Sequence, residues 1–267
     1  MKNVSPIGIF DSGVGGLSVL DQISLLLPSE NLVYVADSKF APYGPKSAEE
    51  IRARAFKIMN FLMTNHDIKL MVIACNTATA ACIKEMREKY TIPIVGMEPA
   101  VKPAIRASKE KRIGILATEG TLKSAKFSAL LEHHDGEYHF YTQPCIGLVE
   151  LIEKGEINTP QIRELVSNYL APLKHHNVDV VVLGCTHYFY IKNIVEGYFK
   201  KPVRVIDTGG AVAKQALNTL KKHNLLNNKK DKNPLIYSNS SSNINKVIER
   251  LMPINKDQLL FSKDFNI

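Results

Sequence analysis

Two cysteines stand in matching surroundings, Cys75 in LMVIACNTATA and Cys185 in VVVLGCTHYFY, 110 positions apart. Each follows an apolar run and one small residue and precedes polar side chains. A cysteine between a strand and a helix has its sulfur near backbone N–H groups and the positive end of the helix dipole, which favours thiolate over thiol. Free cysteine ionises near a pKa of roughly 8.5, so modest tuning sets either form around neutrality. The chemistry that suits such a pair is inversion of a stereocentre. One thiolate removes a proton from one face of a carbanion centre, the other thiol returns a proton to the opposite face, and the pair exchanges states at each turnover. A single strand-end cysteine is commonly a packing residue; two equivalent ones argue for function. Asn76, Thr77, Thr186 and His187 follow them directly, and their amide, hydroxyl and imidazole groups can hold a carboxylate and share protons.

Asp11 opens the loop Asp11-Ser12-Gly13-Val14-Gly15-Gly16, either as a helix cap or as a functional carboxylate. The loop fits a nucleotide fingerprint poorly, because the sixth position counted from Gly13 is Ser18 and no lysine stands where a phosphate loop needs one. A tight turn that exposes N–H groups able to cradle a carboxylate fits better. His187 lies two residues past Cys185 and within plausible reach of its sulfur. The pairs His133-His134 and His175-His176 lack cysteine or carboxylate partners at ligand spacing, so they read as solvated positions and no metal site is expected.

These residues fall where one architecture would put them. Short apolar runs at Ile7–Phe10, Leu32–Val35, Leu70–Ala74, Ile92–Val95, Arg112–Leu116, Val178–Leu183 and Val203–Ile206 alternate with amphipathic helical patterns. Continuous apolar strands between helices predict an α/β fold of parallel sheets covered on both faces, with the ligand site at the carboxyl ends of the strands. Asp11, Asp37, Cys75, Thr118, Cys185 and Asp207 each lie within one or two residues of such an end. The echo between the two cysteine segments predicts two pseudo-symmetric domains, each a largely parallel sheet flanked by helices, with the thiols on opposite walls of the cleft between them. The expected division is 1–97 with 210–267, and 98–209, although the pattern does not dictate the crossover. Beyond about residue 224 the signal fades into a lysine-rich loop, the polar run SNSSSN and a short amphipathic stretch at Ile244–Leu251, which reads as a partly mobile flank.

The chain has 267 residues, 45% of them hydrophobic and 22% charged, enough for a large core and near the globular average in charge. No apolar stretch approaches the length of a membrane span and the start runs into a glycine-rich turn, so a cytoplasmic protein is expected. The four cysteines show no CxxC spacing, and reduced thiols are expected. The net charge of +8 invites a nucleic-acid reading, but residues 210–267 hold ten Lys or Arg against four Asp or Glu, so the excess is mostly local. The run HNLLNNKKDKNP lacks the aromatic interleaving of a base-stacking surface and reads as solvated.

The motifs GIFDSGVGGLSVL, VADSKFAPYG, VIACNTATA, IPIVGMEPAVKPA, ILATEGT, LGCTHY and IDTGGAVA occur in order over about residues 7–216, and through them the chain resembles the bacterial glutamate racemases of the aspartate/glutamate racemase superfamily. The resemblance implies two pseudo-symmetric α/β domains with glutamate held between them and no pyridoxal phosphate, metal or nucleotide. It implies that Cys75 is the base working on D-glutamate and Cys185 the base working on L-glutamate. Asp11 and His187 would assist proton transfer at the two sulfurs, with Asp37 and Glu153 in support; Glu153 rests on the looser motif LVELIE. Substrate contacts map onto Asp11, Ser12, Tyr43, Gly44, Asn76, Thr77, Thr186 and His187, with Thr118 and Thr121 as further carboxylate contacts. Two departures stand out. Thr208 takes the place of a more usual serine before Gly209, and Phe189-Tyr190 stand where the family usually has proline. Six residues precede the first strand, so activation by a cell-wall precursor through an N-terminal extension is not expected. The resemblance also implies D-glutamate supply to peptidoglycan, and members of that family are often homodimers. The rival readings are an aspartate racemase of the same superfamily, one methylene away in substrate, and a non-catalytic nucleic-acid-binding module using the basic tail.

Overall fold

The computed structural model describes residues 3–134, 136–228, 234–239, 244–252 and 260–262. Among them, strands β1 (Ile7–Asp11), β2 (Leu32–Ala36), β3 (Leu70–Ile73), β4 (Ile94–Val95), β5 (Arg112–Ala117), β6 (His139–Pro144), β7 (Val180–Leu183), β8 (Arg204–Ile206), β9 (Leu235–Ser238) and β10 (Leu260–Ser262) form two sheets. Their orders are β10-β9-β2-β1-β3-β4 and β6-β5-β7-β8, and every pairing is parallel. A parallel neighbour requires a crossover, usually a helix, and helices on both faces bury a strand from either side. That is why β1, β2, β3 and β7 are buried at every position and legible as unbroken apolar runs.

The internal echo has a structural counterpart. β3 lies beside β1 and β7 beside β5, and Cys75 and Cys185 come two residues after the ends of β3 and β7. One apolar cluster runs from Ile9 and Val72 of the first sheet through Leu20 and Val212 of the helices Leu17–Leu26 and Gly209–Lys222 to Val181 and Leu183 of the second sheet. The two halves therefore share a core, which limits how far their facing strand ends can drift.

The expected flank after residue 224 is corrected in part. β9 pairs with β2 and extends the first sheet, β10 pairs with β9, and Ile248 and Leu251 of the helix Ile244–Leu251 are buried. A four-residue strand between polar runs carries too little periodicity to be seen. The lysine-rich run at 229–233 lies outside the described residues, as do four residues of SNSSSN. Strand β6 was also not anticipated: it is a half-exposed edge whose sequence HFYTQP lacks an apolar run.

Beneath the first sheet lies an ion pair with no sequence signal. Lys69 Nζ meets Glu30 Oε2 at 2.5 Å with both side chains buried, Lys69 also donates to the Asn3 carbonyl, and the Asn227 N–H donates to Glu30 Oε1 at 2.8 Å. Removing one partner strands a buried charge, which costs about 3–5 kcal/mol. Glu30→Ala is therefore expected to lower the thermal midpoint by roughly ten degrees, and the double variant Glu30→Met with Lys69→Met to recover most of that loss in the same melting experiment.

Candidate functional site

Cys75 is the N-cap of the helix Asn76–Lys89, and its sulfur accepts the Ala78 N–H at 3.4 Å. Its thiol faces Ser12 Oγ at 3.7 Å. The expected preference for thiolate does not hold here. Burial pushes the Cys75 thiol well above its ordinary range, the Asp11 carboxylate pushes it further, and the Ala78 N–H opposes them only in part. Cys185 precedes a 3-10 helix, Thr186–Ile191, in place of the anticipated α-helical first turn, and no backbone N–H caps its sulfur. Its sulfur instead faces His187 Nδ1 at 3.7 Å.

His187 begins a chain of contacts that crosses the molecule. Its Nε2 lies 2.6 Å from Glu153 Oε1, and the Val14 N–H donates to the same oxygen at 2.7 Å. Burial alone would lower the His187 pKa, but hydrogen bonds to Cys185 and Glu153 outweigh it and raise the pKa well above the ordinary value. The glycine loop does cradle a carboxylate, and it is the protein's own. A Cβ at Gly13 would lie 1.9 Å from Glu153 Oε1, one at Gly15 2.3 Å from His187 Nδ1, and one at Gly16 2.6 Å from Asp11 Cβ. Those glycines are needed because side chains of the site lie directly on the loop.

Asp11, at the end of β1, is fully buried. Its two oxygens accept from Ser12 Oγ and Thr186 Oγ1, each at 2.9 Å, which ties the two halves together. Burial raises its pKa, against the lowering influence of His187. Asp37, expected in a supporting place, is held by three side chains. Arg54 grips it with Nε at 2.9 Å and Nη2 at 2.6 Å, Tyr43 donates its phenol at 2.5 Å, and Asn239 donates to Oδ1. A carboxylate so engaged orients Tyr43; its contacts do not include either thiol.

Between the two cysteines is a small cavity lined by Ser12, Tyr43, Gly44, Asn76, Thr77, Thr118, Thr186 and His187 together with Cys75 and Cys185. Thr77 joins hydroxyls across the halves with Thr118 at 2.8 Å and Thr121 at 3.1 Å, and those two meet each other at 3.0 Å. Both polar atoms of the Asn76 side chain are buried with no partner, a cost that a bound polar ligand would relieve. Lys and Arg are absent from this lining, so hydroxyls, amides and main-chain N–H groups are the available carboxylate donors. Sequence reading missed Arg54 and Val149. Arg54 carried a signal, a charge among Ile51, Ala55, Ile58 and Leu62 on the buried helix face; Val149, which also lines the cavity, carried none.

A model described as Asp/Glu/Hydantoin racemase matches residues 7–216. The chain belongs to this racemase family. It is 52% identical to a glutamate racemase of Ectopseudomonas mendocina over 84% of this chain and 86% of that one. It superposes on the glutamate racemase of Bacillus anthracis with a TM-score of 0.87 at 30% identity, covering 97% of this chain and 96% of the other. An Escherichia coli glutamate racemase in complex with L-glutamate superposes with a TM-score of 0.84 at 30% identity, covering 96% and 97% of the two chains. In this member of the family the Phe189-Tyr190 departure is accommodated by the 3-10 helix, which runs straight into the helix Lys192–Tyr198, and the Tyr190 phenol donates to the Val14 carbonyl at 3.4 Å. The four cysteines are free thiols. Among the described residues no cluster of three or more His, Cys, Asp or Glu could hold a metal, and no helix is long and apolar enough to cross a membrane. Outside the site, His176 stacks on Tyr141 at 4.1 Å, and His133 and His175 are exposed.

Proposed function

We propose that this racemase interconverts L- and D-glutamate without a cofactor, by two-base proton transfer through Cys75 and Cys185. The observation that carries the reading is the pair of thiols at equivalent strand ends, walling one small cavity whose other polar groups suit carboxylates. Hydroxyls of Thr77, Thr118 and Thr121, the Asn76 amide and the main chain at Tyr43-Gly44 orient the two substrate carboxylates, while Ser12 and Thr186, whose hydroxyl protons go to Asp11, offer their lone pairs to the substrate ammonium. The Cys185 thiolate, held beside protonated His187, takes the α-proton of L-glutamate. The Cys75 thiol then donates its proton to the opposite face, leaving D-glutamate, a Cys75 thiolate and a Cys185 thiol. The reverse direction uses the same groups in exchanged states. Burial favours the thiol at Cys75, and the raised pKa of His187 favours an imidazolium beside Cys185. Asp11 assists at the Cys75 side, and Glu153 and Asp37 support His187 and Tyr43.

The units of this reading are 1–97 with 210–267, and 98–209, in the cytoplasm, as a homodimer that supplies D-glutamate to peptidoglycan. Light scattering tests the oligomeric state. An aspartate racemase is the neighbouring reading, and one methylene is worth about 1–3 kcal/mol in a pocket. Circular dichroism of the purified protein with EDTA and no added pyridoxal phosphate decides: turnover of glutamate well above that of aspartate is expected, and the opposite ranking overturns the assignment.

The glycine loop provides a further test. In Gly15→Ala the new methyl group displaces the His187 ring from Cys185, and an ångström of misplacement costs about 10²-fold. The turnover number should fall by that order. Gly44→Ala, whose methyl would meet Thr118 Cβ at a more tolerable 3.1 Å, should fall much less in the same assay.

A further inference from the structure

Strand β9 sets Ser238 opposite Ala36 of β2, so the next residue on each chain, Asn239 and Asp37, emerge side by side. Asn239 uses both ends of its amide. Its Oδ1 accepts the Lys39 N–H at 2.9 Å and its Nδ2 donates to Asp37 Oδ1. The orientation follows from the partners, since a backbone N–H can only donate and a carboxylate only accept. Asp37 passes the constraint on, through Tyr43 and through Arg54, whose guanidinium lies 3.9 Å over the Phe40 ring. Between Asp37 and Ser47 the chain has regular structure only at the 3-10 turn Ser38–Phe40, so this segment depends on side-chain anchors. It is nevertheless a wall of the catalytic cavity at Tyr43 and Gly44.

From this geometry we infer that Asn239 is a positioning residue of the active site, acting through Asp37 to hold the Tyr43-Gly44 wall against the substrate. The inference rests on the glutamate racemase reading. It gives the C-terminal segment a task in substrate binding: β9 carries the amide to the rim of the site. Loss of Asn239 leaves the Lys39 N–H without its acceptor and Asp37 short of one donor, while the two thiols and the His187–Glu153 pair keep their own contacts. Binding should suffer and proton transfer should not.

The test is steady-state racemisation of both glutamate enantiomers by wild type, Asn239→Ala, Tyr43→Phe and the double variant. Asn239→Ala should raise KM about tenfold in both directions, the scale of one lost hydrogen bond to a charged group, with kcat within about threefold of wild type. In the Tyr43→Phe background the same change should raise KM far less, because the path through Asp37 to the phenol is already cut. A wild-type KM in Asn239→Ala, a fall in kcat at constant KM, or full additivity with Tyr43→Phe overturns the inference. If Asn239→Ala does not fold, Asn239→Ser replaces it, and its KM decides by the same criteria. Wild type failing to racemise glutamate would instead sink the functional reading, and the two failures are distinguished in one assay.

Discussion

Cys75→Ala is expected to lose racemisation in both directions by about 10³-fold or more, since a positioned acid or base contributes about 10²–10⁴-fold, and yet to keep one partial reaction. With Cys185 and His187 intact, L-glutamate can still lose its α-proton to Cys185 and regain one from the same thiol. In deuterated water the variant should therefore wash deuterium into L-glutamate without inverting it. Cys185→Ala should behave as the mirror image, exchanging D-glutamate only. The two exchange specificities, read by proton NMR of the α-position, assign each thiol to one face of the substrate, which loss of activity alone does not do. Cys82→Ala serves as the comparison: this thiol is buried, its pKa is pushed up to about 12 by burial, and it contacts the Ala78 carbonyl outside the cavity.

Glu153→Gln should have the second largest effect, and an asymmetric one. Glu153 lies 2.6 Å from His187 Nε2 and 14% exposed, and it helps hold the imidazolium beside Cys185. His187 has a raised pKa in the folded protein. Its cationic form therefore contributes fully to stability below the ordinary histidine pKa of about 6.5, and that contribution is lost as pH rises through the higher folded value. Removing the Glu153 charge lowers the folded value, so imidazolium is lost at lower pH. The alkaline limb of kcat/KM for L-glutamate should move to lower pH, and turnover of L-glutamate should fall about 10²-fold, more than turnover of D-glutamate. A pH profile of both directions checks this. An unshifted limb would mean that Glu153 serves only to pin the glycine loop through the Val14 N–H.

Much of the site was legible because parallel strands covered on both faces leave unbroken apolar runs, and their carboxyl ends mark where chemistry sits. Asp11, Cys75, Thr118 and Cys185 could be placed on that basis alone. The electrostatic setting could not be read. Helix N-termini suggested thiolates, but the desolvation that opposes them at Cys75 comes from packing among residues spread from Phe10 to Ile94, which no local pattern encodes. Resemblance puts Asp37 in a supporting place without saying what it touches, and the structure engages it with Arg54, Tyr43 and Asn239. Two of those partners come from distant segments with no motif of their own. Glu153 sits in a loose helical motif, yet its carboxylate meets both His187 and Val14, a convergence over 139 positions that no local pattern encodes. The β9 strand escaped notice because four residues between polar runs carry almost no periodicity, although its last neighbour reaches the site.

The measurement that bears most directly on the two-thiol mechanism is the isotopic content of each glutamate enantiomer after brief turnover of L-glutamate by wild-type enzyme in deuterated water. Two bases predict that the D-glutamate formed carries deuterium at the α-carbon from the first turnovers, because the donating Cys75 thiol has exchanged with solvent, while the remaining L-glutamate stays protiated. D-Glutamate that retains the substrate's own α-proton, or deuterium appearing equally in both enantiomers from the start, would indicate a single base working both faces and would contradict the mechanism.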